Sequence, residues 1–264
     1  MNNFPWQQTR VLITGANRGI GLALVEALIE KGVSRVYLAG RDPSAVQRAA
    51  LLLADKQQMS VEGEVRFYKG ATHLVPIRLD VTSNADIDRI SQQIPQLDLL
   101  INNAGIANEA GFTSPESPAI AIQEMATHYL GPLNLTQALL PQLKASAKAV
   151  VVNISSIAGI ANMPLLGPYS ASKAALHSYT QGLRAELSRQ GIFVQGVYPG
   201  PVDTRLSAGF EAAKPSPVEV ARVILQALEN GEEDVFPDAM SANWYQSFKA
   251  DPKQLEKEYA AWLG

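Results

Sequence analysis

The sequence predicts an α/β fold, a doubly wound parallel sheet of about seven strands with helices on both faces. Three observations predict it. Short apolar, β-branched runs alternate with longer stretches of helical periodicity along the 264 residues, the signature of repeated βα units. The first strand runs directly into a glycine-rich turn. No repeat, low-complexity segment or long linker divides the chain, so residues 1–264 are expected to form one domain.

Taken in order, "RVLIT" (10–14) is the first strand. Gly19 to Lys31 follows with apolar residues at Ile20, Leu24, Ala27 and Leu28, a helical spacing. "RVYLA" (35–39) is the second strand, and Asp42-Pro43 after it supplies an N-cap and first-turn pair. From about Asp55 to Thr72 the chain is polar, and "VEGEVRFY" (61–68) reads as a small extra hairpin. Then come "LVPIRLD" (74–80), a helix near Ala85 to Ile94, "LDLLIN" (97–102) and a long helix around Ile120 to Leu143. "AVVVNIS" (149–155), a helix from Pro168 to Ser188 and "FVQGVYP" (193–199) continue the alternation. Val218 to Leu228 is the last helix expected, and "EDVFP" (233–237) closes the sheet. Crossovers between parallel strands are right-handed.

Composition narrows the function. A net charge of −3 and a pI near 5.7 argue against nucleic acid or an anionic membrane as partner. There is no cysteine, hence no disulfide, thiol nucleophile or thiolate metal site. His73, His128 and His177 show no close ligand spacing with acids, so no metal is expected. The start, "MNNFPWQQTR", has neither a charged n-region nor an apolar h-region, so a cytoplasmic location is the expectation. Ala149 to Ser172 carries no charge, but Asn153, Ser155, Ser156, Asn162 and Pro164 interrupt it. A strand buried on both faces followed by a loop explains that stretch better than a membrane span.

In "TGANRGIG", Gly15, Gly19 and Gly21 lie between the first strand and first helix. Glycines there permit the tight turn, let the backbone approach a pyrophosphate and bring helix against strand. The helix N-terminus adds amides and partial positive charge. The context therefore points to a dinucleotide. At the end of the second strand, where an acid would bind the ribose hydroxyls of NAD, stands Gly40, followed by Arg41. With Arg18 inside the glycine loop, two guanidiniums are available to a 2′-phosphate, which favours NADP, NADPH being preferred over NADH. The blander reading is solvated surface charge for both arginines, with Asp42 as a helix cap.

With "LDV" at Asp80, "NNAG" at Asn102 to Gly105, Ser156, "YSASK" and "PGPVDT" at Pro199 to Thr204, the chain resembles the short-chain dehydrogenase/reductase family in its compact, single-domain branch. The resemblance runs from Arg10 to about Asp238 and implies a Rossmann fold. It implies a cofactor set of Gly15, Asn17, Arg18, Gly19, Ile20, Gly21, Arg41, Asp80, Val81, Asn103, Ala104, Gly105, Tyr169, Lys173, Val202 and Thr204. Asp80 and Val81 would lie beside the adenine, and Val202 and Thr204 would hold the nicotinamide carboxamide. It further implies a homodimer or homotetramer through the long helix around Tyr169 and the one before it.

Tyr169 and Lys173, four apart on a helix, share one face. An ammonium beside a phenol favours phenolate and lowers a reference pKa near 10. The resemblance makes Tyr169 the general acid in carbonyl reduction and the base in alcohol oxidation. Ser156, rather than Ser155, would orient the substrate oxygen, and Lys173 would also bind the nicotinamide ribose. The expected activity is an NADPH-dependent interconversion of a carbonyl and an alcohol. The alternatives are a non-catalytic NADP-binding sensor or scaffold, and a sugar-nucleotide epimerase or dehydratase; against the latter, the chain lacks the long C-terminal domain of those relatives. His128 stands where the family usually has an asparagine that braces a helix distortion, and a substitute hydrogen bond is expected. His177 is expected to pack or to lie at a subunit interface. Ile106, Phe112, Met163, Leu165, Leu206 and Phe210 lie in three candidate pocket segments and suggest an uncharged or hydrophobic carbonyl.

Overall fold

The computed structural model describes residues 4–62 and 66–263. Seven parallel strands form its centre: β1 (Arg10–Ile13), β2 (Arg35–Gly40), β5 (Thr72–Arg78), β6 (Leu99–Asn102), β7 (Val150–Ile154), β8 (Phe193–Val197) and β9 (Asp234–Val235). Two short strands, β3 (Ser60–Glu62) and β4 (Arg66–Lys69), pair antiparallel and add to the edge at β5. The order is β3-β4-β5-β2-β1-β6-β7-β8-β9. The expected hairpin is therefore present, its turn lying outside the described residues.

The strands are parallel because each is followed by a helix that returns the chain to the same edge. Helices α1 (Gly19–Glu30), α2 (Pro43–Lys56) and α7 (Pro217–Asn230) contribute to one core layer; α3 (Asn84–Gln93), α5 (Gly131–Lys144) and α6 (Gly167–Ser188) contribute to the other. Alternation decides which strand residue joins which layer: Val11 and Ile13 pack with Leu24 and Ile224, whereas Leu12 packs with Ile87 and Leu139. With both faces covered, the strands read as nearly continuous apolar runs. Asp42 caps α2 as expected, accepting from Ser44 N at 2.9 Å.

Two expectations need correction. The long helix around Ile120 to Leu143 is not continuous: α4 (Ser117–Met125) passes through a π-helical turn at Ala126–Leu130 before α5 begins. Nor is α7 the last helix, because α8 (Ala239–Ala250) and α9 (Pro252–Ala260) follow β9. Asp238 and Asp251 cap these two helices, and Asp251-Pro252 repeats the Asp42-Pro43 start signal. Their apolar faces are short of aliphatic residues and rich in aromatics, which obscured the periodicity.

Sheet order reverses direction at β1, which has β2 on one side and β6 on the other. The carboxyl ends of β1 and β6 form the topological switch point, where a doubly wound sheet carries its crevice.

Candidate active site

The crevice is built first from backbone. Gly15 and Gly19 hold φ of 61° and 55°, conformations that favour glycine. A Cβ on Gly21 would lie 2.5 Å from the Gly15 carbonyl oxygen, so α1 rises against the loop only because that position is bare. Thr14 accepts through Oγ1 from Asn103 N and Ala104 N, each at 2.9 Å, while Asn103 Nδ2 donates to Thr14 O at 2.9 Å and Gly15 O at 3.1 Å. Asn103 and Ala104 are thereby tied to the glycine loop. Asn102 instead donates to Asn153, which donates to Thr180, a buried polar chain linking β6, β7 and α6.

Across the crevice, a Cβ on Gly19 would come within 3.2 Å of Thr204 Cγ2, so the loop after β8 faces the glycine loop, with Val202 buried in the adjoining core. Val81 packs against Gly131. Asp80 accepts from Thr82 N at 3.0 Å and Thr82 Oγ1 at 2.7 Å, so it stiffens the turn after β5. Gly40 stands at the end of β2, where a Cβ would meet Val46 at 2.7 Å and Asn17 Oδ1 at 3.2 Å. A larger acid cannot occupy it without displacing Val46. Arg18 and Arg41 are exposed, Arg18 at the start of α1 and Ile20 within its first turn.

Ser156, Tyr169 and Lys173 come together at the carboxyl end of β7, all three buried. Ser156 caps a short helical turn, accepting from Ala158 N at 3.1 Å, and its hydroxyl lies against the Tyr169 phenol. Ser155 faces the other way, donating to the Lys173 carbonyl at 3.1 Å. Lys173 Nζ donates to Ile154 O at 2.9 Å and sits 5.7 Å from the Tyr169 ring centre. Gly159 permits this approach: a Cβ there would lie 2.7 Å from the Lys173 carbonyl carbon and oxygen.

Electrostatics in the protein by itself differ from expectation. Burial pushes the Tyr169 phenol up to about 12, the Ser156 hydroxyl pulling the other way and Glu124 adding to the rise. Burial also pulls Lys173 down to about 7, opposed by the negative charge of Glu124. The expected lowering of the phenol requires a full ammonium beside it, and burial disfavours both charges at once.

His128 lies in the π-helical turn, fully buried. Its Nε2 accepts from Ile106 N at 3.1 Å, so Nδ1 carries the proton and donates to Ser172 Oγ at 2.8 Å; Ser172 donates on to Tyr169 O at 2.7 Å. The ring packs edge-on to Tyr169, with centres 5.4 Å apart. Burial holds the imidazole well below its ordinary pKa, hence neutral. The expected substitute hydrogen bond exists, and there are two.

Three residues absent from the sequence reading join this group. Glu124, one turn before His128, accepts from Asn108 N at 3.0 Å and Asn108 Nδ2 at 3.1 Å. Leu255 and Tyr259 of α9 pack in one cluster with Tyr169 and Met163. The i, i+4 spacing of Glu124 and His128 was the available signal for the first; nothing local marked the others.

The three candidate pocket segments converge. Ala110 bridges Leu166, Gly167 N donates to Ala110 O at 3.0 Å, and a Cβ on Gly209 would lie 2.5 Å from Glu109 Oε1. Phe112, Leu165 and Leu206 are exposed apolar side chains on these segments, whereas Met163 is buried in the cluster beneath Tyr169. His177 lies apart, bonded through Nδ1 to Tyr198 Oη at 2.8 Å.

The family model described as short chain dehydrogenase matches residues 9–215. The chain belongs to the short-chain dehydrogenase/reductase family. It is 31% identical over 230 residues to an uncharacterized oxidoreductase of Staphylococcus saprophyticus, covering 84% of this chain and 92% of that one. Among solved structures, a short chain dehydrogenase from Burkholderia cenocepacia in complex with NADP superposes with a TM-score of 0.83 at 30% identity, covering 98% and 99% of the two chains. The NADPH bound carbonyl reductase from chicken fatty liver gives a TM-score of 0.72 at 30% identity, over 87% of this chain and 98% of that one. This short-chain dehydrogenase/reductase is thus a member of an oxidoreductase family across most of its length. No helix among its described residues is long and apolar enough to cross a membrane, and the described residues hold no cluster of three or more metal-ligating side chains.

Proposed function

We propose that this chain interconverts a carbonyl and an alcohol by hydride transfer with NADP(H), using Ser156, Tyr169 and Lys173. The observation that carries this reading is the buried convergence of those three side chains at the carboxyl end of β7. The cofactor supplies the hydride when bound. Gly15 and Gly19, with the amides opening α1, form the anion cradle for its pyrophosphate, and Thr204 faces them from the other wall. Arg18 and Arg41, both exposed, would hold a 2′-phosphate, and the bare Gly40 position leaves no acid there to oppose it. The NADP and NADPH named for two similar structures support the same preference.

Tyr169 gives its phenol proton to the substrate oxygen in reduction and takes it back in oxidation. Ser156 orients that oxygen, and Lys173 holds positive charge beside the phenol. The apolar rim of Phe112, Leu165 and Leu206 suits an uncharged or hydrophobic carbonyl. We further infer that residues 1–264 act as one domain, cytoplasmic and self-associated as a dimer or tetramer.

The test is a carbonyl panel screened with NADPH and NADH in parallel. NADPH consumption that exceeds NADH consumption, and that Tyr169→Phe reduces below about a tenth of wild-type kcat while NADPH still binds, is the expected result. No turnover with either cofactor on any carbonyl or alcohol overturns the reading.

A further inference from the structure

Glu124 is the most conspicuous unexplained group near the site. It is fully buried on α4, which packs against α6. A carboxyl in that position is costly unless its oxygens are satisfied. Only half of it is: Oε1 takes both Asn108 donors, and Oε2 has no hydrogen-bond partner. Lys173 is its counterpart, a buried amine with one acceptor, Ile154 O, for its protons. A carboxyl that served only to pin Asn108 would do no better than a glutamine, which offers the same oxygen without a buried charge.

The charged and titratable groups around Glu124 are few. From α6 come Lys173 and Tyr169, and from its own helical run comes His128, which is neutral. Lys173 is the single cation acting on it, and Glu124 is the single acid acting on Lys173, among the described residues.

We propose that Glu124 is a positioning residue that serves as the buried counter-charge for Lys173, making the site a linked Glu124–Lys173–Tyr169–Ser156 array. This rests on the oxidoreductase reading above. After reduction, the Tyr169 phenolate takes a proton from the Lys173 ammonium, and the resulting amine takes one from solvent, the Glu124 carboxylate favouring the return to ammonium. Oxidation runs the same transfers in reverse. No electron moves in these steps. Burial disfavours the charged form of both groups, and each charge favours the other, so removing one is felt by its partner.

The test is titration of Lys173 by NMR in isotopically lysine-labelled full-length protein without cofactor, its signal assigned by its loss in Lys173→Met. Glu124→Gln keeps an acceptor for Asn108 and removes the charge. The expected result is a Lys173 midpoint lowered by about one pH unit or more, with the pH profile of kcat displaced in the same direction. A midpoint unchanged in a folded Glu124→Gln protein overturns the proposal and leaves Glu124 a loop anchor. Should that variant not fold, the wild-type protein decides. A Glu124 carboxyl signal that inflects together with Lys173 supports the proposal, and one that titrates independently of Lys173 overturns it. These titrations need no substrate, so they stand or fall separately from the carbonyl screen.

Discussion

His128 shows how a single side chain can take over a bracing role with different chemistry. Its two ring nitrogens reach Ile106 N and Ser172 Oγ at once, and the neutral tautomer is fixed by the amide, which can only donate. Asparagine is shorter and cannot span both partners from the same backbone. His128→Asn is therefore expected to lose one buried hydrogen bond, lowering stability by about 1–3 kcal/mol, without raising kcat. A tenfold rise, about 1.4 kcal/mol of barrier, would show instead that the imidazole impairs the site. Lys173 makes a second prediction, with a definite sign. Its folded pKa of about 7 lies below the ordinary 10.5. Between those values the unfolded chain holds a proton that the folded chain has shed, so stability rises with pH across that window. Denaturation midpoints of wild type relative to Lys173→Met should climb from pH 7 toward pH 10.5. Above pH 10 Tyr169 works in the opposite direction, because the folded phenol keeps its proton to about 12.

At the scale of elements, the site depends on how closely α6 approaches β7 and its following turn. Gly159 sets that distance, with Lys173 backbone atoms 2.7 Å from where its Cβ would stand. Backbone cannot step aside as a flexible side chain can. Gly159→Ala should push α6 outward at Lys173, costing about 1–3 kcal/mol of stability and at least a tenfold loss of kcat through misplacement of Tyr169 and Lys173. Thermal denaturation and a kcat measurement on the same preparation check both. Unchanged kcat would mean that the relation of α6 to Ser156 tolerates such movement. The π-helical turn is the companion device: it carries His128, which with Glu124 near the end of α4 holds Ile106 and Asn108 of the loop after β6.

Over the whole molecule, the carboxyl-terminal helices pack against a candidate catalytic residue that lies far away in sequence. Leu255 and Tyr259 are buried with Tyr169, Met163 and Ile157 in a third apolar cluster, separate from the two layers that flank the sheet. Leu255→Ala leaves a cavity there and should cost about 2–5 kcal/mol. A fall in kcat is expected alongside, because the cavity loosens the wall behind the phenol; cofactor affinity, set mainly at the glycine loop, should hold. Denaturant unfolding and steady-state kinetics would separate the two effects. A stability loss with kcat untouched would show that this cluster supports the fold alone.

The alternation of apolar runs with helical periods, together with the glycine turn, was enough to read seven parallel strands, helices on both faces and the place of the crevice. Those features are legible because each rests on contacts that recur along the chain: periods of two and of 3.6, caps such as Asp42-Pro43, and bare positions at tight turns. The family motifs carried Ser156, Tyr169 and Lys173 the same way. The π-helical break, the partnership of Glu124 with Asn108, the double bond of His128 and the apolar support from α9 were decided only by tertiary structure. Each pairs residues from segments whose separate patterns do not refer to one another. The raised phenol of Tyr169 belongs with them, since desolvation depends on everything packed around a group and not on its neighbours in sequence.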